Sequence, residues 1–250
     1  MLVAAALVPD TALVVPGVAG SADPARTLRA AARDAVRDAT ADVERVVVVA
    51  PGPVDRELTG PVRGTFAAVG VPDRALRGTV PVVLGAPDGA SSGLATSAGT
   101  PAPGTAAAIH LLVAAGRESA RLVEVSAGRA DRLRALGRAL AAAGGPERVA
   151  LVVVGSASGR HGPDAPLADD DRAPENDARL LADLSDAGPA ARARLAAADA
   201  ALAAELAVTG WAPWQVLLGA VGDARAVDAK LLHEEVLAGA QHAVLLWRCT

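Results

Sequence analysis

The stretch that most constrains the fold is Val149–Val154, a run of residues that is apolar at every position. A short, continuous apolar run is typical of a strand that is buried on both faces in a parallel sheet. The run ends at Gly155, and the following segment, GSASGRHGP (155–163), combines small residues and glycines with an adjacent Arg and His. Ligands of open α/β sheets bind beyond the carboxyl ends of the strands. This loop is therefore the first candidate for a functional site.

The rest of the chain alternates between predicted strands and predicted helices. Leu2–Val8 and residues 45–50 are apolar runs on either side of an amphipathic helix that reaches Thr40, and this β-α-β pattern predicts two parallel strands. Further strands are predicted at 79–84, 121–125, 230–232 and 243–247. Further helices are predicted at 105–115, 129–143, 177–184 and 190–208. Residues 88–104 are rich in Gly, Ser, Thr, Ala and Pro and predict a long loop. We expect one α/β domain over residues 1–250.

Composition and charge exclude several classes of protein. The net charge of −4 provides no basic surface for nucleic acid, and an aromatic content of 2% provides no stacking platform for single strands. One cysteine, Cys249, excludes disulfides and cysteine-based zinc sites within the chain. Met1–Ala6 lacks the basic flank of a signal peptide, and no apolar run approaches the ~18 residues of a membrane span. We therefore expect a cytoplasmic protein without nucleic-acid or membrane partners.

The central loop contains the strongest candidate for a catalytic residue. No dinucleotide-binding, P-loop, nucleophile-elbow or H-E-x-x-H motif occurs in the chain. His161 follows a predicted buried strand, at the position where active-site groups of α/β folds lie. Ser156 and Ser158 are candidate nucleophiles only if a base lies beside them.

The other histidines have weaker claims to function. His110 lies in an apolar helix and is expected to be a core residue, whereas His233 and His242 flank the closing strands and are expected to be structural or exposed. His233, Glu234 and Glu235 are adjacent ligand-type residues. Successive side chains of a strand point to opposite faces, so at most His233 and Glu235 could face one site.

A series of segments resembles one enzyme family when the segments are taken in order along the chain. They are LVAAALVP (2–9) with LVVPGVA (13–19), VVVVAP (46–51), VVGSASGR (153–160) with Ala165-Pro166, AAELA (203–207) with APWQVLLG (212–219), and LLHEE (231–235). Together they resemble the catalytic B-subunit-like family of class III extradiol ring-cleavage dioxygenases, in its actinobacterial-type branch. The resemblance implies a three-layer α/β sandwich with a central mixed, mostly parallel sheet. In active members it also implies a non-haem Fe(II) held by two His and one Glu.

The sequence departs from the family pattern at the positions of the iron ligands. Asp10 stands where the resemblance places the first ligand histidine, and Gly52 stands where it places the second. Gly159 takes the place of the acid/base histidine, with His161 two residues further on. The glutamate ligand is retained as either Glu234 or Glu235. Replacing an imidazole by glycine removes a ligand, so the pattern implies loss of iron affinity.

Three functional hypotheses follow, and they leave open whether the chain is an enzyme. In the first, the protein has a degenerate iron site, needs no cofactor and acts as a binding or regulatory protein for a small aromatic ligand, or as a partner subunit. In the second, it is a ring-cleavage dioxygenase with a metal site rebuilt from Asp10, Glu235 and His161, with Fe(II) if the family activity is retained. In the third, Ser156 or Ser158 serves a hydrolase or transferase. A homo-oligomer is compatible with each of them.

Overall fold

The fold is built on a mixed sheet of eight strands. The structure, a computed structural model, describes residues 1–76, 83–86, 93–143, 145–165, 167–223 and 225–250. Its strands are β1 (Leu2–Val8), β2 (Arg45–Pro51), β3 (Arg56–Leu58), β4 (Gly60–Arg63), β5 (Val83–Ala86), β6 (Ala95–Ser97), β7 (Arg121–Val125), β8 (Val149–Val154), β9 (Val227–Leu237) and β10 (Ala240–Cys249). The large sheet has the order β6-β3-β7-β2-β8-β1-β10-β9, while β4 and β5 pair separately.

The centre of the sheet is parallel and its flanks are mixed. Strands β7, β2, β8 and β1 pair in parallel, whereas β1 with β10, β10 with β9, and β3 with β7 pair antiparallel. Every residue of β8 is buried, as expected for a strand covered by helices on both faces. The predicted class, an α/β fold with a central mixed sheet between helical layers, is confirmed.

Helices cover both faces of this sheet. They are α1 (Arg26–Thr40), α2 (Pro103–Ala114), α3 (Ala130–Ala142), α4 (Ala173–Asp186), α5 (Pro189–Ala196), α6 (Ala200–Glu205) and α7 (Trp211–Val221). Alternate residues of β8 point into two separate cores: Val153 packs with residues of α3, α4, α5 and α7, and Val154 packs with residues of α1 and α2. Within the described ranges, no helix is both long enough and apolar enough to cross a bilayer.

Several predicted boundaries differ from the structure. The helix predicted at 190–208 is two helices, α5 and α6, because Asp199 caps a new helix through a hydrogen bond from the Ala201 amide. The loop predicted at 88–104 contains β6 and the start of α2. Of the strand predicted at 79–84, residues 79–82 lie outside the described residues, and β5 begins at Val83. The closing strands are much longer than predicted and form the β9–β10 hairpin.

Helices α3 and α7 approach until their backbones touch. A Cβ added to Gly137 of α3 would lie 1.9 Å from the Val216 carbonyl oxygen, and one added to Gly219 of α7 would lie 2.1 Å from the Arg134 carbonyl oxygen. Both distances are far inside van der Waals contact. Glycine at these two positions is therefore a requirement of the packing and not a matter of backbone conformation.

This close approach predicts a large stability difference between two Gly→Ala variants. Gly137→Ala should lower the free energy of unfolding by about 3 kcal/mol, at the upper end of the range for overpacked cores, because no flexible side chain can yield. Gly128→Ala is the matched control, since its Cβ would meet nothing closer than 3.8 Å. Urea unfolding of both variants measures the difference. Equal stability of the two would contradict the packing described for α3 and α7.

Candidate functional site

The candidate site lies at the sheet edge where the parallel strands end. Asp10 follows β1 and Ser156 follows β8, and these strands are parallel neighbours. Strand β10 runs antiparallel to β1, so its first residues, including His242, reach the same edge. Glu235 of β9 pairs directly with His242. We refer to Asp10, Ser156, Glu235 and His242 as the strand-end cluster.

Ser156 joins two of these side chains. Its hydroxyl donates a hydrogen bond to Asp10 Oδ1 at 2.7 Å, and its Oγ lies 3.0 Å from His242 Nδ1. A hydroxyl has a single hydrogen. Because that hydrogen is directed to Asp10, the contact with His242 requires the imidazole to donate from Nδ1–H. In the neutral imidazole, Nε2 is then a hydrogen-bond acceptor.

Burial keeps His242 in its neutral form. The residue is 4% exposed, and desolvation lowers the pKa of its imidazole below the ordinary value of 6.5, although the negative charges of Asp10 and Glu235 act in the opposite direction. Within the described part of the chain, His242 Nε2 and Asp10 Oδ2 have no hydrogen-bond partner. Neither of these two atoms is fully buried. The cluster thus presents two acceptors to a ligand.

The structure decides between two alternatives for His242 and for the adjacent glutamates. Of the expectations for His242, structural or exposed, exposure is excluded, because the residue is buried in β10 and contacts Ser156. Glu234 is exposed, whereas the partly buried Glu235 shares the face of His242 and lies 3.3 Å from His233 Nε2 through Oε1. Little in the sequence indicates that His242 belongs to the cluster, because this depends on a contact with a residue 86 positions away.

His161 belongs to a second cluster. Its Nε2 lies 2.7 Å from Oδ2 of Asp177, a residue of α4 that is 1% exposed and was not singled out from the sequence. The backbone amide and the hydroxyl of Ser158 donate to the same carboxyl group. In the described ranges, no hydrogen bond connects this group to Asp10 or Glu235. A catalytic role for His161 stays a prediction, in which Asp177 would orient the ring.

The serines of the central loop are both committed to other groups. Ser158 is fully buried and its hydroxyl hydrogen is directed to Asp177. Ser156 has a histidine beside it, but its hydrogen is directed to Asp10 and not to that histidine. A nucleophilic serine donates its hydrogen to the base that activates it. The observed arrangement therefore does not support the serine hydrolase hypothesis.

Position 52 has no room for a side chain. A Cβ added to Gly52 would lie 2.7 Å from the Cβ of Glu124 in β7. Glu124 is fully buried and is held by Arg56 at 2.7 Å, by the Ala102 amide at 2.6 Å and by the Thr105 hydroxyl at 2.8 Å. Glu124 could have been noticed in the sequence as a charged residue inside the mostly apolar strand RLVEV (121–125). Its fixed side chain leaves no space for a side chain at position 52, where the resemblance implies a histidine ligand.

The side chains present do not fit the iron site that the resemblance implies. Among the described residues, no group of three His, Cys, Asp or Glu is arranged to hold a metal ion. Asp10 and His242 are bonded to Ser156, Gly52 offers no ligand, and His161 is bonded to Asp177. A facial triad requires three side chains that converge on one point and leave coordination positions open.

Comparison with known proteins identifies a likeness of fold. No family model matches the chain, and no curated protein matches it. The chain is similar in structure to the uncharacterized protein JW3007 from Escherichia coli K12, with a TM-score of 0.56 and 14% sequence identity over 98% of this chain and 99% of that chain. At this identity the similarity extends to the fold alone.

Burial predicts the ionisation of His242, and the hydrogen bonds of Ser156 predict its tautomer. We expect its imidazole to titrate below pH 6.5 and to carry its proton on Nδ1 when neutral. The unfolded chain then binds more protons as the pH falls through 6.5, so the free energy of unfolding decreases from there towards the folded-state pKa. NMR of the ring nitrogens, assigned with His242→Gln, measures both properties. Titration above 6.5, or a neutral ring protonated on Nε2, would contradict the arrangement.

Removal of the Ser156 hydroxyl should destabilise the protein. Ser156→Ala leaves Asp10 Oδ1 and His242 Nδ1 without their partner, and unpaired polar groups cost about 1–3 kcal/mol when buried. Ser21→Ala, at an exposed position, serves as the control and should change stability little. Thermal and urea unfolding give the comparison. If the two variants were equally stable, the Ser156 hydrogen bonds would have no energetic importance.

Proposed function

We propose that this chain is a class III extradiol dioxygenase-like protein with a degenerate iron site, and that it acts as a binding protein for a small aromatic ligand bearing hydroxyl groups. The observation that carries the proposal is the pair of hydrogen bonds at Ser156, which ties Asp10 to His242 at the strand-end edge. Asp10, which stands where the resemblance places a ligand histidine, is thus hydrogen-bonded to a serine. The blocked position at Gly52 supports the same conclusion.

The family part of the proposal is supported by sequence order and by fold class. The resembling segments run from β1 to β9, and the chain has the mixed α/β sheet that the resemblance implies. Folds of this kind support many functions, so the function has to be argued from the site.

The ligand class follows from the chemistry that the cluster presents. Asp10 Oδ2 and His242 Nε2 are acceptors without partners among the described residues. An acceptor pair is satisfied by a ligand that donates two hydrogen bonds, and phenolic hydroxyl groups are good donors. A catechol-like diol therefore suits the cluster better than an anion, which would face the negative charges of Asp10 and Glu235.

A metal-dependent enzyme with a rebuilt site is the second candidate. The observation in its favour is that Asp10 and Glu235 both lie close to His242, Asp10 through their shared partner Ser156 and Glu235 as the residue paired with His242 across the β9–β10 hairpin. Such a site would use His242 and not His161, which is held by Asp177. It would also require Ser156 to release Asp10 and His242, and this requirement places it second.

The two candidates make opposite predictions about iron. We expect the protein, purified anaerobically with added Fe(II) and without a metal-affinity tag, to contain far less than one iron per chain by elemental analysis. We also expect no oxygen uptake with catechol. Near-stoichiometric iron that is lost in Asp10→Ala, together with oxygen uptake, would replace the binding proposal with the metal-dependent enzyme.

Binding of catechol itself tests the proposal directly. Titration calorimetry should show binding of catechol but not of veratrole, its dimethyl ether, because veratrole has no hydroxyl to donate. Asp10→Asn should weaken catechol binding roughly tenfold, which corresponds to about one hydrogen bond to a charged group. Asp42→Asn, at an exposed position, is the matched control and should bind normally. Equal binding of catechol and veratrole would contradict the role of the two acceptors.

A further inference from the structure

A cavity that is separate from the strand-end cluster lies between α1 and α2. It has a volume of about 460 Å³, within the range of roughly 300–1,000 Å³ that is usual for small-molecule pockets. The lining consists of three arginines, one histidine (His110) and apolar side chains. Arg26, Arg29 and Arg33 of α1 lie on one side, and the apolar residues Leu111 and Val113 of α2 contribute to the other.

The arginines follow from the periodicity of α1. Residues three or four positions apart lie on the same face of a helix, so Arg26, Arg29 and Arg33 form one row. Ala30 lies in the same row and leaves space between the guanidinium groups and α2. The residues described as lining the cavity include no acidic side chain.

The positive charge of this row is only partly neutralised. Arg29 is fixed by Asp23, with two contacts of 2.6 and 2.9 Å, yet its Nε is buried without a hydrogen-bond partner in the described part of the chain. Arg26 shares Asp23 at 3.7 Å, and Arg33 contacts its exposed neighbour Asp34 at 3.2 Å. Exposed ion pairs of this kind contribute little to the free energy of unfolding. The arginines can therefore leave these carboxylates for a ligand that binds them more strongly. Three guanidinium groups thus face two carboxylates.

We propose that this cavity binds an amphipathic anion, a small molecule with one acidic group and an apolar aromatic or acyl body. The acidic group would accept hydrogen bonds from Arg33 and Arg26, since guanidinium groups bind carboxylates and sulfonates with charge-assisted hydrogen bonds. The body would lie against Leu111 and Val113, and Val113 is 37% exposed despite being apolar. The inference does not depend on the strand-end cluster and goes beyond the function proposed for it.

Two pairs of matched probes test the charge requirement. Anilinonaphthalene sulfonate, whose fluorescence increases in an apolar site, should bind saturably, whereas the uncharged N-phenylnaphthylamine should bind much more weakly. Octanoate should displace the bound probe, and octanol should not.

Variants on α1 locate the binding. Arg33→Gln should lower the affinity for the sulfonate roughly tenfold, as expected for the loss of one charge-assisted hydrogen bond. Arg37→Gln is the matched control, because Arg37 lies one turn further along the same helix with a side chain 55% exposed, against 48% for Arg33, and does not line the cavity. Ala30→Leu should narrow the cavity and reduce binding of both probes while the melting temperature stays close to that of the parent protein.

Several results would overturn the proposal. They are equal affinity for the charged and uncharged probes, equal effects of Arg33→Gln and Arg37→Gln, absence of saturable binding, or a dimer in light scattering that Val113→Arg converts to a monomer. The last result would assign this face to a contact between copies of the chain. Ser156→Ala should leave sulfonate binding unchanged, so failure here is distinguishable from failure of the function proposed for the strand-end cluster.

Discussion

The single hydrogen of the Ser156 hydroxyl determines the character of the strand-end cluster. Once this hydrogen is directed to Asp10, His242 must donate from Nδ1, and its Nε2 becomes an acceptor. Burial then favours the neutral ring over the charged one. The cluster is therefore a set of acceptors stabilised by a serine, and this is the physical basis of the proposal that it binds a hydrogen-bond donor and not a metal or an anion.

The arrangement depends on strand order more than on local sequence. Parallel pairing of β1 with β8 brings Asp10 and Ser156 to one edge, although they are 146 positions apart in the chain. Antiparallel pairing of β10 with β1 adds His242 from the start of a strand. The buried Glu124 occupies the space beside Gly52. Since these constraints are set by the sheet, a change in one loop would not create the triad of iron ligands that the resemblance implies.

Local pattern was sufficient for the central strands and insufficient for the cluster. The strands β1, β2 and β8 are buried almost throughout and consist almost entirely of apolar residues, so the apolar stretch alone identifies them. Strand β9 alternates between exposed and partly buried residues, and only a short piece of it is recognisable without its partner β10. Asp10 and His161 lie past the ends of strands and Glu235 lies near the end of β9, while the predicted roles of all three stay predictions. Their partners His242 and Asp177 were missed, because burial and pairing of a polar side chain are properties of the tertiary structure.

The separation between core and edge explains how the residues at the strand ends of such a scaffold can change while the fold is kept. The residues that pack the two cores lie within the strands and helices, whereas Asp10, Gly52 and Ser156 lie past the ends of strands. Substitution at these ends changes little buried apolar area, which is the dominant favourable term in folding. The polar groups at the edge must nevertheless be satisfied, because an unpaired buried acceptor or donor is costly. Ser156 is the hydrogen-bond partner of both Asp10 Oδ1 and His242 Nδ1. This single side chain therefore satisfies the polar groups at the edge without any change in the core.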